Sequence, residues 1–175
     1  MAVAIGPEQG GFLGPFGCSW FIREFLMGYS PEGAGVINHE REATQTDINY
    51  AYKEALDKAT TRERAERIIS RMVVDGVDVI EDKAGNIYQR ELKRISRKFT
   101  HMRYRSFLVY FGVLKSLGWV AETGYTEPST IQDYHSPAPD RVYYRLAEKG
   151  KEAPGEYWSN PLFTLYPEIG PSRMK

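Results

Sequence analysis

Apolar residues recur along this chain with two different periods. Up to residue 117 they fall mostly three and four apart, the spacing of one helix face; from residue 141 to 147 they alternate, as in a half-buried strand. Residues 1–14 (MAVAIGPEQGGFLG) hold neither period and read as an irregular lead-in. Trp20, Phe21, Phe25 and Leu26 predict a short amphipathic helix within Pro15 to Met27, ending near Gly28. Tyr29 to Thr44, with Pro31, Gly33 and Gly35, predicts a loop. Thr46 then caps a helix with the stripe Ile48, Tyr52, Ala55, Leu56 and Ala59. Thr60 with Glu63 has the capping-box spacing and predicts a fresh helix start, with Ala65, Ile68, Ile69, Met72 and Val73 inward and Gly76 as its stop.

Further along, Val77 to Ile80 predicts a short strand and Asp82 to Asn86 a turn. A third helix follows, capped by Asn86 and Gln89, with Tyr88, Leu92, Ile95 and Phe99 inward. A fourth runs from Thr100 to Leu117 on the stripe Phe107, Phe111, Leu114 and Leu117. Gly118 suits the left-handed position after a helix, and Trp119 behind it completes a Schellman pattern with Leu114. Two strands, Trp119 to Thr123 and Arg141 to Ala147, flank a loop from Gly124 to Asp140. In the second strand Val142, Tyr144 and Leu146 share one face, and Arg141, Tyr143 and Arg145 the other. The tail from Pro154 keeps Trp158, Leu162, Phe163, Leu165 and Tyr166, which predicts packing on the body or on a partner.

The totals change this picture in one respect. A chain of 175 residues with 42% hydrophobic content can build one core, and 23 basic against 23 acidic residues give no net charge. Yet Lys83 to Leu117 holds nine Lys or Arg and one acid, Glu91: a local charge of +8, balanced by −8 elsewhere. The one cysteine, Cys18, allows no internal disulfide, which fits a reducing compartment. No apolar run reaches the length of a membrane span, and the first residues lack a basic-then-apolar leader pattern. A cytoplasmic protein that does not enter membranes is the expectation.

From Thr61 the order helix, short strand, helix, helix, strand, loop, strand resembles a winged helix-turn-helix. SFLVYFGVLKSLGWVAETG (Ser106 to Gly124) resembles a recognition helix running into a wing strand. RVYYRLAEKGKE (Arg141 to Glu152) resembles the second wing strand and its exit in the PadR-like and MarR-like transcription regulators. The resemblance spans Thr61 to Glu152, about half the chain, and implies an α+β, mainly α fold. Residues 1–60 would then be an N-terminal helical extension, 61–153 the winged-helix domain and 154–175 an aromatic tail. Unlike those families, the chain has 17 residues between its wing strands, and Pro154 and Gly155 stop the helix that usually builds a dimer. A homodimer or protein contact would therefore use the N-terminal helices or the tail.

The function this implies is double-stranded DNA binding by a transcription regulator. A helix entering the major groove needs cationic or polar groups at its start and short side chains along its face. Arg103, Arg105 and Ser106 supply the first; Val109, Gly112 and Ser116 continue the row. Arg90, Lys93, Arg94, Arg97 and Lys98 on the third helix are candidates for phosphate contact, with Arg141, Tyr143 and Arg145 at the wing base. The wing loop has Glu127, Asp133 and Asp140 but no Lys or Arg, so its tip should be repelled by phosphate. Val109 and Gly112 cannot donate hydrogen bonds, which leaves open a non-enzymatic protein-interaction module; exposed tyrosines would favour an RNA-binding winged helix.

Other chemistries find little support. His39, His101 and His135 are scattered without a second cysteine, so no zinc site is expected. GPEQGGFLGPFG lacks the Gly-Lys-Ser/Thr of a phosphate loop, and Asp82-Lys-Ala-Gly-Asn lacks the repeated acids of a calcium loop. Cys18 among Phe16, Trp20 and Phe21 reads as a buried, inert thiol. The carboxylates near the wing form no acid–base pair, so neither an enzyme nor a cofactor is expected.

Overall fold

The computed structural model describes residues 17–28, 40–98, 104–128, 140–159 and 161–169. The fold is mainly helical with one small antiparallel sheet, an α+β arrangement. In chain order the elements are α1 (Cys18–Leu26), β1 (Ala43–Thr44), α2 (Gln45–Val74), α3 (Glu81–Lys98) and α4 (Tyr104–Leu117). Then come β2 (Val120–Glu127), β3 (Arg141–Leu146), the short helices α5 (Glu148–Glu152), α6 (Gly155–Ser159) and α7 (Pro161–Leu165), and a 3-10 turn at Pro167–Ile169.

One core joins both ends of the chain. The buried faces of α1 (Cys18, Phe21, Ile22, Leu26), early α2 (Ile48, Tyr52, Leu56) and α4 (Phe107, Phe111, Leu114) close over Trp119, Val120, Tyr144, Leu146 and Trp158. Aromatic rings fill its centre: Phe21 meets Tyr52 at 5.1 Å between centroids, and Phe111 meets Tyr144 edge-on at 4.9 Å. The tail residues α6 and α7 pack on α1 and α4, and Trp158 is fully buried.

Helix ends follow the glycines. Gly76 and Gly118 both have positive φ, and the bonds Val77 N–H to Met72 C=O (2.9 Å) and Trp119 N–H to Leu114 C=O (3.0 Å) complete Schellman motifs after α2 and α4. Gly28, at φ 88, follows α1.

Several expected elements are corrected. No helix starts at Thr60: α2 runs unbroken for 30 residues, about 45 Å, through the boundary expected between residues 60 and 61. The capping box does not form because Thr60 lies inside the continuous helix rather than at its start, and Glu63 pairs forward with Arg67. The cap of α2 is Thr44, whose Oγ1 accepts from Asp47 N–H at 3.2 Å, rather than Thr46. Val77 to Ile80 is not a strand, and Asp82 to Asn86 is the first turns of α3 rather than a turn. The sheet's short strand is instead β1, ahead of α2.

The sheet order is β1-β3-β2, all antiparallel. β2 outruns its expected end at Thr123: it bulges between Glu122 and Thr126, where Gly124 takes φ 88, and rejoins β3 at Thr126 opposite Val142 and Glu127 opposite Arg141. Of the expected wing loop, residues 129–139 lie outside the described residues.

The second half of α2 leaves the core and packs with α3 as a two-helix arm. Among the described elements α3 makes substantial contact with α2 alone. Its buried row is Ile87, Glu91 and Ile95; on α2, Thr61 and Ala65 are buried as well. The expected inward row was Tyr88, Leu92, Ile95 and Phe99; Tyr88 and Leu92 are half-buried flanks, and Phe99 lies outside the described residues. Val73, expected inward, is 59% exposed, one residue before the end of α2.

Candidate nucleic-acid interface

The helix α4 offers one face to the core and the opposite one to solvent. Phe107, Phe111 and Leu114 are each fully buried, which fixes the rotation of the helix. Arg105, Ser106, Val109 and Ser116 are therefore exposed, with Gly112 half-buried between them. A β-carbon placed on Gly112 would meet no atom within 4 Å, so the backbone there is open to a close approach. Arg105 makes no ion pair with the described residues, and α4 contains no carboxylate. Lys115, near its end, turns back: its Nζ lies 3.4 Å from the Tyr144 hydroxyl and 5.4 Å from the ring centroid. Tyr104, at the start of α4, is 42% exposed and reaches the Thr46 hydroxyl at 3.3 Å, pinning α4 to the start of α2.

At the wing base the three candidates separate. Arg141 is a clamp: its guanidinium holds Asp47 (2.9 Å), Glu127 (3.2 Å) and the Thr44 hydroxyl (3.2 Å), tying β1, α2 and β2 to β3. Two carboxylates already neutralise it, so a phosphate would have to displace them. Tyr143 packs edge-on against Tyr125 at 5.0 Å, and its bond to the Glu127 carboxylate holds its phenol pKa above the ordinary value. Arg145 is exposed and forms no close ion pair with the described residues.

The third-helix cations sit on the arm. Arg90, Lys93 and Arg94 share its solvent face, and Arg94 Nη1 (3.3 Å) and Arg90 Nε (3.4 Å) flank the buried Glu91 carboxylate. That pairing lets a carboxylate lie in the arm's seam, since an unpaired buried charge is strongly destabilising. The side chains of Arg97 and Lys98, and Arg103 as a whole, lie outside the described residues, as do His39, His101 and His135. Among the described residues no cluster of metal-ligating side chains occurs, and no helix is long and apolar enough to cross a membrane. Cys18 is fully buried, and burial pushes its thiol pKa well above the ordinary value.

Sequence reasoning missed Arg141's partners, because Asp47 lies 94 positions away and no local pattern announces the pair. It also missed β1, whose two residues are too few to show a period. Comparison with protein families, with curated proteins and with solved structures finds no match.

Proposed function

We propose that the protein binds double-stranded DNA as a winged helix-turn-helix, with α4 in the major groove. In this reading α1, β1, the first half of α2, α4, β2 and β3 form the winged unit, and the arm is an insertion between its second and third helices. The frame thus begins at α1 rather than at Thr61. What carries the reading is the open row of α4: Arg105, Ser106, Val109, Gly112 and Ser116 on a helix without acids, beside a sheet of order β1-β3-β2. Arg105 and Ser106 supply donors for base edges or phosphates, Gly112 leaves room for the groove wall, and Arg145 reaches the flanking backbone. Regulation of transcription, without catalysis or cofactor, is the biological role this would serve.

The 64% exposure of Val109 favours a second reading, a protein-interaction module, because that side chain gains nothing from phosphate. Fluorescence anisotropy with a labelled mixed-sequence duplex separates the two. DNA binding predicts affinity that falls steeply with salt, with a log–log slope of roughly −0.9 per phosphate contacted. It also predicts that Val109→Glu, a charge placed on an already exposed position, abolishes binding while the protein stays folded. No binding at low salt, or undiminished binding by Val109→Glu, overturns it; displacement by single-stranded RNA alone would move the assignment to RNA.

A further inference from the structure

The first half of α2 carries an outward row that the core does not use. Ile48, Tyr52, Ala55 and Leu56 are buried, which turns Thr46, Tyr50 and Lys53 to the opposite side of the helix. All three are exposed, and Tyr50, at 70%, is the most open of the described tyrosines. A lone exposed tyrosine needs no explanation. This one stands in a row that leads to α4. Thr46 Oγ1 lies 3.3 Å from the Tyr104 hydroxyl, and Arg105 follows Tyr104 in the first turn of α4.

Donors dominate this surface. Lys53 and Arg105 make no ion pair with the described residues. Whichever of the Thr46 and Tyr104 hydroxyls donates to the other, the acceptor keeps its own proton for an outside oxygen. Tyr50 adds a third hydroxyl. The acids next to the row in sequence are held elsewhere: Asp47 by Arg141 at 2.9 Å and Glu54 by Lys58 at 3.2 Å. From Thr46 to Lys53 the helix rises about 10 Å, room for about two phosphates of one strand. An apolar partner would strip these donors of water and return no acceptor. A phosphodiester strand returns an oxygen for each of them.

We infer that Thr46, Tyr50 and Lys53 grip the phosphodiester strand beside the groove that α4 enters, with Tyr104 at the junction of the two helices. This rests on α4 lying in the groove. Tyr50 and the hydroxyl pair donate to phosphate oxygens, and Lys53 neutralises one phosphate. Because Tyr104 ties the start of α4 to Thr46, a strand held on α2 sets where Arg105 and Ser106 come to rest against the bases. The row reads no sequence; it positions the helix that does.

Fluorescence anisotropy on the full chain, with a mixed-sequence duplex at several salt concentrations, tests the row. Lys53→Gln should lower affinity about three- to tenfold and reduce the log–log salt slope by about 0.9. Tyr50→Phe, which keeps the ring and removes the hydroxyl, should lower affinity about threefold and leave the slope as it is. Both positions are exposed, so helical circular dichroism should stay native. Lys83→Gln makes the same change of charge near the arm tip and should alter neither quantity. Native behaviour in either α2 variant, in a protein that Val109→Glu silences, overturns the inference and leaves α4 in the groove. An equal loss in Lys83→Gln overturns it too, because net charge alone then explains Lys53. A native chain that binds no duplex at low salt removes both readings.

Discussion

Gly150→Ala should destabilise the protein, although replacing glycine inside a helix ordinarily helps. Gly150 lies in α5, is buried, and is not among the glycines of positive φ, so conformational freedom does not explain it. Space does. A β-carbon there would be driven into the Trp119 carbonyl, 2.9 Å from Trp119 Cα and 3.0 Å from its carbonyl carbon. All three are backbone atoms at the entry to β2, so no side chain can swing aside. Relief would pull α5 away from β2 and stretch two bonds that cross the contact. These are Ala147 N–H to Trp119 C=O (2.9 Å) and Trp158 Nε1–H to Gly150 C=O (3.0 Å). It would also loosen the Trp119–Trp158 pair, whose centroids lie 4.7 Å apart. Overpacking alone costs about 1–3 kcal/mol, and weakening two hydrogen bonds worth about 1 kcal/mol each places this site at the upper end. With about 2–4 °C per kcal/mol for a chain of this size, a loss near 3 kcal/mol lowers Tm by about 6–12 °C. Gly112→Ala is the control: it is helical with open space at its β-carbon, and should gain about 0.5–1 kcal/mol. Differential scanning calorimetry of the two variants gives the answer. A Gly150→Ala protein as stable as the native chain would show that α5 is not seated on Trp119.

Further outcomes follow from the same contacts. Arg105→Ala should cost about 1–3 kcal/mol on a preferred duplex, whereas Arg141→Ala should leave DNA affinity almost unchanged and lower stability by about 1 kcal/mol or less; anisotropy and thermal melts read both. Trp158→Phe removes the indole donor from the buried Gly150 carbonyl and should cost about 1–3 kcal/mol in urea unfolding; no change in midpoint would deny that bond. Cys18, fully buried with its thiol pKa raised, should react with Ellman's reagent only after denaturation, and rapid labelling of the native protein would contradict its place in the core.

What the sequence revealed, and what it hid, has a physical pattern. Glycine stops were legible because left-handed backbone selects glycine: Gly28, Gly76 and Gly118 each stand after a helix. The buried stripe of α4 was legible because Phe107, Phe111 and Leu114 keep a strict period. The break at Thr60 was misread because a capping box is also an ordinary pair of helical residues when α3 supplies packing beyond it. The strand at Val77 to Ile80 was misread because four apolar-rich residues fit a strand as well as an exposed tip. Those two errors hid the arm. The α4 row needed no tertiary information, since an apolar period on one side defines the open side on the other. The Arg141 clamp needed all of it.

The most direct measurement is an amide chemical-shift map of the 15N-labelled protein titrated with a short duplex. Binding through α4 predicts the largest shifts at Arg105, Ser106, Val109 and Gly112, with Arg145 following and the arm tip at Val73 to Ile80 unmoved. Shifts absent at low salt, or confined to residues away from α4, would contradict it.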